Sequence, residues 1–161
     1  MRDCTLLEMD TSKEQILFPR DLYIAHQNTI KQVKIQKNEK YDVQISNRAK
    51  SLKKYIFQCD GLMIRPAISS KELIEEGASL SHCVGTYADM YAKGETDIFL
   101  IRKVSEPDKP YYTVEVKKDI LIQVRGKNNR SASEDVAEFI KVFTDEKLNK
   151  KTKKNRIKIS A

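Results

Sequence analysis

The chain has 161 residues, 40 % hydrophobic and 33 % charged, with a formal net charge of +7; one domain with a modest core and a strongly charged surface is predicted. No run approaches the roughly 18 apolar residues of a membrane span, and the acids Asp3, Glu8 and Asp10 exclude the basic start of a secretion signal. Three scattered cysteines, Cys4, Cys59 and Cys83, do not make a disulfide framework, so a cytoplasmic protein with reduced thiols is expected.

Residues 1–17 read as an irregular N-terminal segment. Phe18-Pro19-Arg20-Asp21-Leu22 reads as a helix start, because proline suits the first turn. One long charged helix, or two shorter ones, should run through residues 20–52. A β-hairpin is predicted over 55–65, with Asp60-Gly61 as its turn. Ser69 and Glu72 form a capping box for a short helix that should stop near Gly77. Leu80, Cys83, Val84, Tyr87 and Tyr91 recur at helical spacing, closed by Gly94. That stripe places Cys83 among apolar neighbours as a buried, inert thiol.

The continuous run Ile98 to Ile101 predicts a buried central strand near 97–103. Two alternating segments, 111–117 and 120–125, predict a second hairpin. A three-residue loop, Lys117-Lys118-Asp119, would set Val114 opposite Ile122 and Val116 opposite Ile120. Tyr111, Thr113, Glu115, Leu121, Gln123 and Arg125 would then share the other face. After a turn at 126–130, Ser131 and Glu134 form another capping box. Val136, Phe139, Ile140 and Phe143 mark the buried face of a final helix. The expected fold is α+β: a small, mainly antiparallel sheet with helices packed on one face. The domain spans 18–146, and a basic, disordered tail spans 147–161.

Charge is unevenly placed. Residues 147–161 hold seven bases and no acid, leaving 23 of the 30 bases against all 23 acids. Within the body, residues 31–54 hold eight bases against two acids. Such segments attract polyanions. The nucleic-acid-binding candidates are therefore Lys31, Lys34, Lys37, Lys40, Arg48, Lys50, Lys53 and Lys54, with Lys150, Lys151, Lys153, Lys154 and Arg156 in the tail. A solvated helix face and a solubilising tail would produce the same runs.

Three blocks carry a family resemblance. The first is Phe18 to Leu22 with Ala25-His26. The second is EGASLSHCVGTY from Glu76 to Tyr87, followed by Gly94 and Ile98 to Arg102. The third is Pro110 to Glu115, then Gln123 to Gly126 and Asn128-Asn129. Together they resemble the PcfJ-like family over roughly residues 18–145. The resemblance implies a setting, the mobile DNA of conjugative plasmids, integrated elements and phages. It implies no reaction.

The candidate chemistry lies in the second and third blocks. His82 has a reference pKa near neutrality and suits acid–base work; it would equally serve as a hydrogen-bonding residue at a helix end. On a helix its neighbours would be Thr86 and Asp89, a polar face. Glu115, Gln123 and Arg125 sit on the polar sheet face, with Arg102 as a neighbour. A carboxylate, an amide and a guanidinium there would hold a nucleotide or orient water; a plain solvent face would look the same. Cys59, His82 and Cys83 lack zinc spacing, and no P-loop or G-x-G-x-x-G is present, so no metal or cofactor is expected.

Three functions stay open. The leading one is an accessory protein of a bacterial mobile element, binding nucleic acid or a nucleoprotein partner through the basic segments. The second is an enzyme centred on His82, Glu115, Gln123 and Arg125, acting on a nucleotide or nucleic acid. The third is a protein-interaction module that inhibits a host defence system. The sequence leaves the oligomeric state open.

Overall fold

The computed structural model describes residues 21–149. The chain divides into two compact units, residues 1–40 and 41–161. In the first unit, helix α1 spans Leu22–Asn38. Its N-cap is Asp21, whose carboxylate accepts from the Ile24 amide at 3.0 Å, meeting one of the unpaired donors of the first turn. Lys34 and Lys37 are exposed on α1.

The second unit carries the core. Helix α2 (Asp42–Ser51) leads to the hairpin β1 (Phe57–Cys59) and β2 (Leu62–Pro66). The 20–52 stretch is thus two helices, joined by a single turn of 3-10 helix over Glu39–Tyr41. Helix α3 (Ser70–Leu80) follows, then a 3-10 turn (Cys83–Thr86) and the short helix α4 (Ala88–Lys93). Strands β3 (Asp97–Lys103), β4 (Tyr112–Lys117) and β5 (Ile120–Gly126) complete the sheet. Helix α5 (Glu134–Phe143) runs into a π-helical turn over Thr144–Leu148.

The sheet order is β1-β2-β3-β4-β5, with every neighbouring pair antiparallel. The fold class is α+β, as the sequence pattern predicts. The central position of β3 explains its unbroken apolar run, since both of its faces are covered. On one face the Phe99 ring lies 6.1 Å from Phe143 of the C-terminal helix and 5.8 Å from Tyr55. On the other face Arg102 of β3 reaches Glu76 of α3. Helices therefore cover both sides of the sheet, not the one side expected. The alternating apolar pattern of β4 reported a single greasy face and gave no sign of the second layer.

Several local expectations need correction. Helix α3 does not stop at Gly77; it continues to Leu80 and closes on Ser81 at φ 54°. Gly77 serves close packing, because a Cβ there would lie 2.9 Å from the His82 carbonyl oxygen and 3.1 Å from the Gly85 nitrogen. The stripe from Leu80 to Tyr91 is not one helix, since Ser81 and an extended His82 break it. Cys83 is consequently exposed instead of buried.

The β4–β5 loop has two residues, Lys118 and Asp119, both at positive φ. Val114 pairs with Val124, and Val116 with Leu121, across an irregularity at Glu115/Val116. Ile120 and Ile122 are left exposed. The tighter turn matches the right-handed strand twist better than a three-residue loop. The N-cap of α5 is Ser133, so the expected Ser131–Glu134 box does not form. The buried face Val136, Phe139, Ile140 and Phe143 is as expected. Packing extends past the assigned domain end, because Leu148 is buried in the core. The rest of the basic tail, from residue 150, lies outside the described residues, as do residues 1–17 and the helix start at 18–20. Among the described residues no helix is long and apolar enough to cross a membrane.

Candidate functional site

His82, Glu115, Gln123 and Arg125 line one cleft, and Tyr87, Thr113 and Asn129 line it with them. Three pieces of chain bring them there. Strands β4 and β5 pair Thr113 with Arg125 and Glu115 with Gln123, so these four side chains share a face. The break after α3 swings His82 over that face. The turn at Lys127–Asn129, with Asn128 and Asn129 at positive φ, closes the far rim. The cleft has a volume of about 50 Å³. At roughly 10–15 Å³ for each ordered water, it admits a few waters or one small polar group.

His82 is the N-cap of the 3-10 turn and half-buried. Its Nδ1 accepts from the Val84 amide at 3.4 Å. In the neutral ring the proton therefore sits on Nε2, which meets the Thr113 hydroxyl at 3.1 Å. Thr113 in turn donates to Glu76 at 3.2 Å. Burial holds the imidazole pKa below its ordinary value. Of the two readings for His82, acid–base group or helix-end hydrogen-bonding residue, the second describes this geometry. The helical neighbours Thr86 and Asp89 play no part, because His82 is extended.

Glu76 anchors the chain of bonds. It meets Arg102 through two hydrogen bonds, 3.0 Å from Nη1 and 2.5 Å from Nη2. The two side chains are only 1 % and 3 % exposed. Burial raises the Glu76 carboxyl, against the opposing pull of the Arg102 guanidinium. This buried pair reaches the cleft through Thr113, which lines it. The sequence offered one sign of Glu76: an acid one residue before Gly77, inside an otherwise apolar helix face.

Glu115 is engaged on both oxygens, accepting from Thr96 at 2.9 Å and from the Gln123 amide at 2.7 Å. The Gln123 carbonyl accepts from Arg125 Nε at 3.4 Å. Glu115 thus fixes Gln123, and Gln123 steadies Arg125. The outer guanidinium nitrogens of Arg125 remain at the exposed mouth, beside Asn129. Tyr87 borders the same space, and burial raises its hydroxyl pKa. The donors presented to a ligand are those of Arg125 and Asn129, while His82 and each Glu115 oxygen already hold a partner within the protein.

The other candidates are dispersed. Arg48 donates to Asp97 through Nε at 3.0 Å and Nη2 at 2.7 Å, so it ties α2 to β3. Lys54 lies over the Tyr55 ring, 4.9 Å from its centre. Lys50 and Lys53 are exposed, as are Lys34, Lys37 and Lys40. Lys31 is partly buried. Lys150, Lys151, Lys153, Lys154 and Arg156 lie outside the described residues. Among the described residues no group of three or more His, Cys, Asp or Glu side chains could hold a metal ion.

Comparison with known proteins gives three findings. A family model described as PcfJ-like protein matches residues 1–140. An uncharacterized protein from Listeria innocua serovar 6a is 33 % identical over 140 residues, covering 86 % of this chain and 30 % of the relative. The chain therefore spans less than a third of that relative's length. No solved structure matches the chain.

Proposed function

The chain belongs to the PcfJ-like protein family, and from that premise we propose that it serves a bacterial mobile element by binding a phosphate-bearing ligand, a nucleotide or a nucleic-acid end, in the cleft of His82 and Arg125. One observation carries this reading: side chains from two separate sequence blocks, His82 in one and Glu115, Gln123 and Arg125 in the other, line a single cleft. A guanidinium fork suits phosphate oxygens, and the Asn129 amide adds a donor on the facing rim. The cleft volume suits a phosphate-sized group and leaves the base and sugar outside.

Binding is favoured over turnover. Both ring nitrogens of His82 and both oxygens of Glu115 already hold partners within the protein, so taking a substrate proton would disturb the bonds that position the cleft. Calorimetric titration with a nucleoside and its monophosphate tests the reading. The monophosphate should bind, the nucleoside should not, and Arg125→Ala should lower affinity about tenfold or more, the worth of a lost charge-assisted bond. Equal affinity for the two compounds, or full affinity in the Arg125→Ala protein, would rule the reading out.

A further inference from the structure

A second, larger cleft lies on the other side of the Lys127–Asn129 turn. Its volume is about 420 Å³, within the usual range for a ligand site. Lys103, Lys109, Lys127 and Arg130 line it, against one acid, Glu106. Glu106 is taken by Lys109 at 3.0 Å. Among the described residues Lys127 and Arg130 have no acidic partner, and Lys103 has none either. Three cations thus surround one concave space without neutralisation, which focuses a positive potential there.

An aromatic ring stands among these cations. Tyr111 lines the same cleft, held by a hydrogen bond from its hydroxyl to Asp135 at 3.1 Å and by the edge of Tyr112, 4.8 Å between centres. The Lys103 ammonium sits over the Tyr111 ring at 4.9 Å. Arg130 lies over the Tyr112 ring at 5.3 Å. Lys103 is exposed, and an ammonium on a four-carbon stem can leave the ring for a phosphate and give the ring face to a base. Cations that follow a backbone, with a fixed aromatic platform between them, are the two parts a single-strand site needs. The ring can stack only on a base that is not paired within a duplex, so the combination favours a single strand.

We propose that this basic cleft binds single-stranded nucleic acid, with Lys103, Lys127 and Arg130 on phosphates and Tyr111 stacked on a base. The inference stands independently of the phosphate site at Arg125, and it assigns strand binding to residues other than those of the basic segment 31–54.

The test is fluorescence anisotropy of the full chain with a labelled single-stranded oligonucleotide and with its duplex, over a salt series. The single strand should bind more tightly than the duplex. Lys103→Glu with Lys127→Glu should weaken it more than tenfold and flatten the salt dependence by roughly two phosphate contacts. Tyr111→Ala should weaken binding at every salt concentration, and Tyr111→Phe should retain it, since stacking needs the ring and not the hydroxyl. Lys127→Ala alone, a change at an exposed side chain, keeps the test available if the double variant fails to fold. The inference is overturned by wild-type affinity in the cleft variants, or by equal binding of the duplex. It is equally overturned if an acidic peptide competes as well as the strand, or if Lys34→Glu with Lys37→Glu on α1 abolishes binding while the cleft variants do not.

Discussion

Arg102 and Glu76 are the most buried charged pair among the described residues. Removing one partner leaves the other charged and unsolvated. Arg102→Met should therefore cost about 3–5 kcal/mol in urea unfolding, and adding Glu76→Leu should recover most of that loss. A small single-variant cost would mean that water reaches the pair. His82 makes a different prediction. Its folded pKa is depressed by burial, so the unfolded chain takes up the proton more readily. The resulting stability is present above about pH 6.5, the unfolded value, and is lost as pH falls below it. Denaturant midpoints of the wild type should fall more steeply than those of His82→Gln as pH is lowered through that value. Glu76 and Asp97, whose carboxyls are raised by burial, act in the opposite sense but equally in both proteins. Parallel curves would contradict this assignment. Gln123 and Arg125 were legible as one face because strand alternation puts them together, but their meeting with Glu115 depends on register: the two-residue turn alone would place them on opposite faces, and the irregularity at Glu115/Val116 restores the pairing. His82 was legible as a polar residue inside the second block. Thr113 was legible on the same polar face as Glu115, but its bond to His82 was visible only in the fold.

At the scale of elements, capping chemistry was readable where the side chain does the capping. Ser69 accepts from the Glu72 amide at 3.1 Å, as its box predicts. Glycine was harder to interpret, since one that ends a helix and one that allows close contact look alike in sequence. Gly77 is the second kind. Gly77→Ala should destabilise the protein by roughly 1–3 kcal/mol through the clash with the His82 and Gly85 backbone, although alanine is the better helix former by about 1 kcal/mol. A gain in melting temperature would show that the His82 segment yields easily. The β4–β5 turn escaped the sequence for a related reason: Lys118 and Asp119 take positive φ without the usual Gly or Asn. Asp119 is held there by the Tyr55 hydroxyl at 2.5 Å. Lys118→Asn should stabilise the turn by about 0.5–1 kcal/mol, because asparagine tolerates that conformation better. Thermal unfolding measures it, and an unchanged midpoint would contradict it.

At the scale of the whole molecule, the sequence displayed its charge in runs, and the fold gathers charge that has no run. Lys103, Lys109, Lys127 and Arg130 come from a strand end, a loop and a turn, interleaved with acids such as Glu106 and Asp108. No sequence window reveals them as a group. Arg48, inside the basic 31–54 segment, is bound to Asp97. The sheet, covered on both faces, presents two clefts separated by the Lys127–Asn129 turn, one small and polar, one larger and basic. The most direct measurement is a crystal structure of the full chain soaked with a mixture of nucleoside monophosphates. Phosphate density should lie within hydrogen-bond distance of Arg125 and Asn129, with His82 still bonded to Thr113. Density confined to other surfaces, with the Arg125 cleft vacant, would contradict the proposed function.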